Sequence, residues 1–104
     1  MRRLRILDAA AQEAAEAAAW YEEQRPGLGY DFQRAIDAAL DLLEDEAVPL
    51  VPAAGAAGRG LKRLVLRRFP YDIILRETHD ELIVIAFAHH SRRPGYWRRR
   101  SDSG

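Results

Sequence analysis

The residues best suited to chemistry lie near the end of the chain, where seven apolar residues pass directly into His89, His90, Arg92, Arg93 and Tyr96. Imidazole and phenol groups accept or donate protons, and guanidinium groups stabilise negative charge on a phosphate. Such a cluster fits proton transfer at a phosphate. It fits equally well a basic, aromatic edge that binds an anionic surface without chemistry.

The apolar run that delivers this cluster, Leu82 to Ala88, is rich in β-branched residues and predicts a buried strand. Because side chains alternate along a strand, one of His89 and His90 should face inward and the other outward. An inward histidine is more often a hydrogen-bonded core residue than a catalyst.

The N-terminal half predicts a strand followed by two helices. Leu4 and Ile6 alternate with arginines as in a short strand, and Asp8 is a plausible N-cap for an alanine-rich helix from Ala9 to about Gln24. Proline and glycines at 25–29 break that helix. A second helix should begin near Leu28 or Tyr30, with an apolar stripe formed by Leu28, Phe32, Ile36, Ala39, Leu40 and Leu43.

The C-terminal half predicts strands. Pro49, Pro52 and residues 53–60 read as a loop, followed by a strand containing Leu61, Leu64 and Leu66. A hairpin should then join strands Tyr71–Glu77 and Leu82–Ala88 through a turn at residues 78–80. The sequence therefore predicts one α+β domain over residues 1–100, with an N-terminal strand, an antiparallel helical hairpin and then a three-stranded antiparallel sheet, and a disordered tail at 101–104.

The amino-acid composition excludes some classes of function and shows an uneven distribution of charge. The 104 residues have zero net charge, but the segment from Asp8 to Glu46 holds eleven acidic and two basic residues, whereas the segment from Ala47 onward holds eleven basic and five acidic ones. The fold can thus carry an acidic and a basic face.

The chain has no cysteine and three histidines, a poor ligand set for a metal. With no stretch apolar enough for a membrane span or a signal peptide, we expect a cytoplasmic protein without a membrane contact.

A family resemblance covers nearly the whole chain. The motifs that carry it, in order along the chain, are Trp20-Tyr21-Glu22, Pro26-Gly27-Leu28-Gly29, Phe32, Ile36-Asp37, Leu40, Arg68-Phe69-Pro70-Tyr71, His89-His90 and Arg92-Arg93-Pro94-Gly95-Tyr96-Trp97. With these motifs the sequence resembles the RelE/ParE superfamily of toxins from bacterial type II toxin–antitoxin systems, most closely its ParE-like branch. The resemblance implies the α+β fold predicted above, together with growth inhibition and a role in plasmid stabilization.

For a ParE-like protein, the resemblance implies an inhibitor that binds DNA gyrase and is not an enzyme. The contact would be made by basic residues of the C-terminal edge, with two aromatic residues as packing anchors. These target-binding residues would be Arg92, Arg93, Tyr96, Trp97, Arg98, Arg99 and Arg100. Two competing interpretations are that Trp97 closes the core over the helical hairpin and that Arg98 to Arg100 are a solvated tail.

A RelE-like protein would instead be an endoribonuclease that cleaves messenger RNA on the ribosome. It would promote attack of a ribose 2′-hydroxyl on the adjacent phosphate, with His89, His90, Arg93 and Tyr96 as the catalytic candidates. Where the RelE-like pattern has an arginine after the aromatic residue of the middle strand, this chain has Asp72 after Tyr71. A carboxylate there repels phosphate and argues against cleavage.

The resemblance also implies a partner, an antitoxin whose disordered C-terminal segment folds on the toxin as an amphipathic helix and adds a strand to the sheet edge. We expect this segment to be acidic and to contact Trp20, Tyr21, Arg63, Arg67 and Tyr71. Core packing is the competing role for the aromatic residues.

An inactive relative that only binds its antitoxin is a third functional possibility. No cofactor and no small-molecule substrate are expected.

Overall fold

A computed structural model describes residues 3–45, 50–52 and 61–102. The elements run in the order β1 (Arg3–Ile6), α1 (Asp8–Gln24), α2 (Leu28–Glu44), β2 (Val51–Pro52), β3 (Leu61–Val65), β4 (Tyr71–Glu77), β5 (Glu81–His89) and a short 3-10 helix (Arg98–Asp102). The predicted α+β class is confirmed, and the two helices and the hairpin strands lie within a residue or two of their predicted bounds.

The two helices are joined by a turn that the sequence determines closely. Gly27 has a φ of 90°, a conformation that favours glycine. Glu22 near the end of α1 accepts hydrogen bonds from the backbone N–H groups of Gly27 and Gly29, at 2.9 and 3.0 Å, and so satisfies donors at the start of α2. The prediction that Asp8 caps α1 is wrong, because Leu7 is the cap residue and Asp8 is the first helical residue.

The sheet is wider than predicted. Within the described residues it has five strands in the order β1-β5-β4-β3-β2. β1 pairs in parallel with β5, and the other pairs are antiparallel. The predicted loop is wrong at Val51–Pro52, which pairs with Arg63 and Lys62 as a two-residue edge strand. Its remaining predicted residues, apart from Leu50, lie outside the described part of the chain.

Both faces of the sheet carry apolar side chains. The helices cover one face, where the predicted α2 stripe packs against residues such as Phe69, Ile73 and Val84. A register shift between Ile74 and Leu75, which leaves Ile85 without a partner on β4, places Ile85 and Ala86 together in a cluster on the opposite face. Because the helices do not reach this face, another segment must shield the second cluster from water.

The segment after β5 supplies this cover. Trp97 is 2% exposed and packs with the second cluster, and Tyr96 lies beside it. Gly95, with a φ of 85°, makes the preceding turn. Of the tail predicted at 101–104, Ser101 and Asp102 complete the 3-10 helix, and the last two residues lie outside the described ranges. In residues 3–45, 50–52 and 61–102, no helix has the length and apolar character to cross a membrane.

Candidate functional site

The histidine pair divides between the two sheet faces, as strand alternation predicts. His89 ends β5 on the helix side, where its ring stands edge-on to Tyr71 with centroids 5.0 Å apart. The backbone N–H of Ser91 donates to His89 Nδ1 at 3.0 Å. A neutral His89 therefore has its proton on Nε2, and Nδ1 is occupied as an acceptor.

His90 belongs to a charged group on the other side. Its Nε2 lies 2.8 Å from Asp72 Oδ1, and Arg63 Nη1 lies 3.5 Å from Asp72 Oδ2. The Asp72 side chain is only 14% exposed. Its carboxylate is thus shared between two cationic or donor groups, which reduces the repulsion of phosphate predicted for it.

These residues line a pocket of about 280 Å³ on the sheet face opposite the helices. Arg63 and Asp72 form one wall, and the predicted candidates His89, His90, Arg92, Arg93, Tyr96 and Trp97 are also among its lining residues. The tertiary structure therefore brings His90, Arg93 and Tyr96 to one pocket, and His89 borders it while its ring packs against Tyr71 on the helix side. Arg63, predicted only as an antitoxin contact, joins them there.

Glu13, which sequence reasoning missed, organises the C-terminal segment. Its carboxylate accepts hydrogen bonds from the Tyr96 hydroxyl at 2.5 Å, from Arg100 Nη1 at 2.7 Å and from the backbone N–H of Phe87 at 3.1 Å. The Arg92 guanidinium lies 3.8 Å from the centre of the Tyr96 ring. Burial, then the hydrogen bond to Glu13, raises the pKa of Tyr96 well above its ordinary value, so its hydroxyl is held protonated.

A signal for Glu13 exists in the sequence. The buried alanines of α1 are Ala10, Ala14 and Ala17. Glu13 is three residues after the first and four before the last, so helical spacing places it beside the buried face. A glutamate in an alanine-rich helix is usually solvated, and nothing near it in sequence reveals donors that lie more than seventy residues away.

The last predicted target-binding residues have different environments. Arg100 is fixed by its ion pair with Glu13, while Arg98 and Arg99 are exposed. Trp97 is buried and cannot present a packing surface to a target in this conformation. It does close a core, as the competing interpretation held, but that core lies on the sheet face opposite the helical hairpin.

The predicted antitoxin contacts do not form one surface. Tyr21 and Tyr71 pack with Phe32 and Phe69 in an aromatic cluster beneath the helices, with neighbouring ring centroids 5.0–5.1 Å apart. Burial raises the pKa of both tyrosines. Trp20 is 56% exposed and lines a shallow pocket of about 260 Å³ together with Tyr71, His89 and Arg92.

Arg63 and Arg67 lie instead on an apolar groove between α2 and β3, with a volume of about 530 Å³. Its floor and walls include the exposed side chains of Leu42, Val51 and Val65. Arg68 closes one end, where its Nη2 lies 3.1 Å from Asp31 Oδ2 on α2. The groove thus combines apolar lining with Arg67 and Arg68, while the Arg63 guanidinium is directed to Asp72 on the other sheet face.

Among the residues that the structure describes, no group of three or more His, Asp or Glu side chains is placed to hold a metal ion. The pocket is lined by guanidinium groups and by the His90 imidazole, groups whose chemistry suits an anion, whereas the Tyr96 hydroxyl donates to Glu13.

Comparison with known proteins identifies the fold. No family model matches the chain, and no curated protein matches it by sequence. Among solved structures, the chain is similar to one described as the chromosomal ParDE TA system from P. aeruginosa, with a TM-score of 0.72 and 18% sequence identity. The match covers 86% of this chain and 96% of that chain. The protein therefore has the fold of a chain from a ParDE toxin–antitoxin system, as its resemblance to the ParE-like branch predicted.

Proposed function

We propose that this protein is the toxin of a type II toxin–antitoxin system. The observation that carries the proposal is the fold match along 86% of the chain, which agrees with a resemblance drawn from different motifs over the same length. In this proposal a cognate antitoxin silences the protein, and the protein alone inhibits growth in the cytoplasm.

The α2–β3 groove is the best-supported antitoxin site. Leu42 is 43% exposed, Val51 44% and Val65 46%, so three large apolar side chains are available to cover. The guanidinium groups of Arg67 and Arg68 lie at the same groove, whereas that of Arg63 pairs with Asp72 on the opposite sheet face. An acidic, amphipathic helix fits this combination, because its apolar face covers the aliphatic side chains while its carboxylates meet the guanidinium groups. This moves the proposed site away from Trp20, Tyr21 and Tyr71.

For the target, the resemblance to ParE-like proteins points to DNA gyrase, and the geometry of the C-terminal edge supports binding over catalysis. Tyr96 donates its hydroxyl to Glu13 and has a raised pKa, which makes it a poor general base. Arg92 is stacked on the Tyr96 ring. Together with Arg93, Arg98, Arg99 and Arg100, these residues form a basic edge of the kind that binds an acidic protein surface or DNA held by an enzyme.

The test is expression of the chain alone and together with the protein encoded by its neighbouring gene. We expect growth arrest from the chain alone, relief by co-expression, and accumulation of cleaved DNA when purified chain is added to purified gyrase. Ribosome-bound messenger RNA should stay intact. Absence of arrest would contradict a toxin and would leave an inactive, antitoxin-binding relative.

One observation favours a ribonuclease as the second candidate. If His90 donates its Nε2 proton to Asp72, its Nδ1 is left as a proton acceptor in a pocket that Arg63 and Arg93 also line. Such a protein would cut messenger RNA on translating ribosomes. His90→Ala and Arg93→Ala would abolish the cuts, and gyrase would be unaffected.

A further inference from the structure

The sheet has an open edge close to the proposed target-binding surface. Pairing of β1 with β5 ends at Ile6 and Val84, and the Leu7 N–H to Val84 carbonyl bond follows directly. Phe87 lies beyond that point. Its backbone N–H, which no β1 residue reaches, is instead bonded to Glu13 Oε1 on α1.

The same carboxylate, 14% exposed, also holds the segment that follows β5. Its two oxygens accept from Tyr96 and Arg100, and the Tyr96 ring in turn supports the Arg92 guanidinium. Three residues of the proposed target-binding edge are thus oriented by one side chain of the first helix. The charges that act on the Tyr96 hydroxyl are those of Glu13, Arg100 and Arg92, and Arg100 is the ion-pair partner of Glu13.

The backbone of the segment has a separate anchor. Trp97 is buried in the second cluster, and the N–H groups of Arg98 and Arg100 bond to the carbonyls of Gly95 and Trp97. Loss of Glu13 should therefore leave the segment attached while its side chains lose their fixed orientation. A Glu13 variant can therefore disturb the orientation of these side chains without unfolding the segment.

We propose that Glu13 is a positioning residue for the target-binding edge, holding Tyr96, Arg92 and Arg100 in the arrangement that meets the target. The inference rests on the proposed function and adds to it a residue outside the C-terminal segment. Glu13 lies away from the α2–β3 groove, so antitoxin binding should not depend on it.

The test compares Glu13→Ala and Glu13→Gln with Glu23→Ala, an exposed position on the same helix. We expect Glu13→Ala to lower growth inhibition about tenfold or more at equal soluble protein, as loss of a positioning contact does. Capture by the neighbouring-gene protein should be unchanged. Hydrogen exchange should accelerate at Phe87 and in residues 96–100 and stay unchanged in β3 and β4.

A second measurement separates positioning from general destabilisation. If Glu13 acts through Tyr96, then Glu13→Ala combined with Tyr96→Phe should inhibit growth as much as Glu13→Ala alone, because Glu13→Ala already removes the hydrogen bond that Tyr96→Phe removes. Additive losses would overturn the inference, and so would full inhibition by Glu13→Ala. Absence of growth arrest by the unaltered protein would instead overturn the proposed function, and the inference with it.

Discussion

The Tyr96 hydroxyl donates to the Glu13 carboxylate at 2.5 Å across 83 residues of sequence, which joins the first helix to the C-terminal segment. Because burial and this bond raise the pKa of Tyr96 above the ordinary 10.0, the folded protein favours the neutral phenol. The stability gained is fully present below pH 10 and is lost as the pH rises beyond it, where the unfolded phenol ionises.

Tyr96→Phe should therefore lower the free energy of unfolding by about 1–3 kcal/mol at neutral pH, the usual effect of removing a hydrogen bond to a charged group. The difference from the unaltered protein should shrink above pH 10. Urea titrations between pH 7 and 11 measure it. A difference that grows with alkaline pH would contradict the raised pKa.

The two tryptophans provide a matched pair. Trp97→Ala should cost about 3–5 kcal/mol, because it opens a cavity in the cluster on the sheet face opposite the helices. Trp20→Ala should change stability by about 0.5 kcal/mol or less, since that side chain is 56% exposed. Chemical denaturation measures the free energy of unfolding of both variants. Equal decreases in the two would show that Trp97 is not a core residue.

Glu22 and Glu23 form a second pair at the end of α1. Glu22→Ala removes the acceptor for the Gly27 and Gly29 N–H groups and should cost about 1 kcal/mol, as loss of a helix cap does. Glu23→Ala makes the same change of charge and helix propensity one residue later and should be close to neutral. Thermal unfolding of the two variants provides the comparison.

If the antitoxin binds in the α2–β3 groove, a charge placed inside the groove should weaken its binding, and the same charge placed elsewhere on α2 should not. Leu42→Glu places a carboxylate on the exposed apolar lining and should weaken capture of the neighbouring-gene protein at least about tenfold, by desolvation and by repulsion of an acidic helix. Gln33→Glu adds the same charge to an exposed position of α2 outside the groove. It should bind normally, and a pull-down titration distinguishes the two. Equal binding by both variants would locate the antitoxin elsewhere.

Much of the fold followed from local pattern. The 3.6-residue period of α2 placed Phe32, Ile36 and Leu43 on one buried stripe, and the apolar strand at the end of the chain was evident from its β-branched content. The parallel edge strand β1 and the two-residue strand β2 were not predicted as part of the sheet. Their pairing depends on partners far away in sequence, which short segments do not specify.

The sequence by itself determined which residue types end the last strand, that the two histidines face opposite ways, and that the C-terminal edge is basic. Only the tertiary structure decided their roles. It paired His90 with Asp72, buried Trp97, and placed Glu13 of the first helix against Tyr96 and Arg100. The reason is physical: side-chain period follows from local backbone geometry, whereas the partner of a buried polar group depends on how distant elements pack.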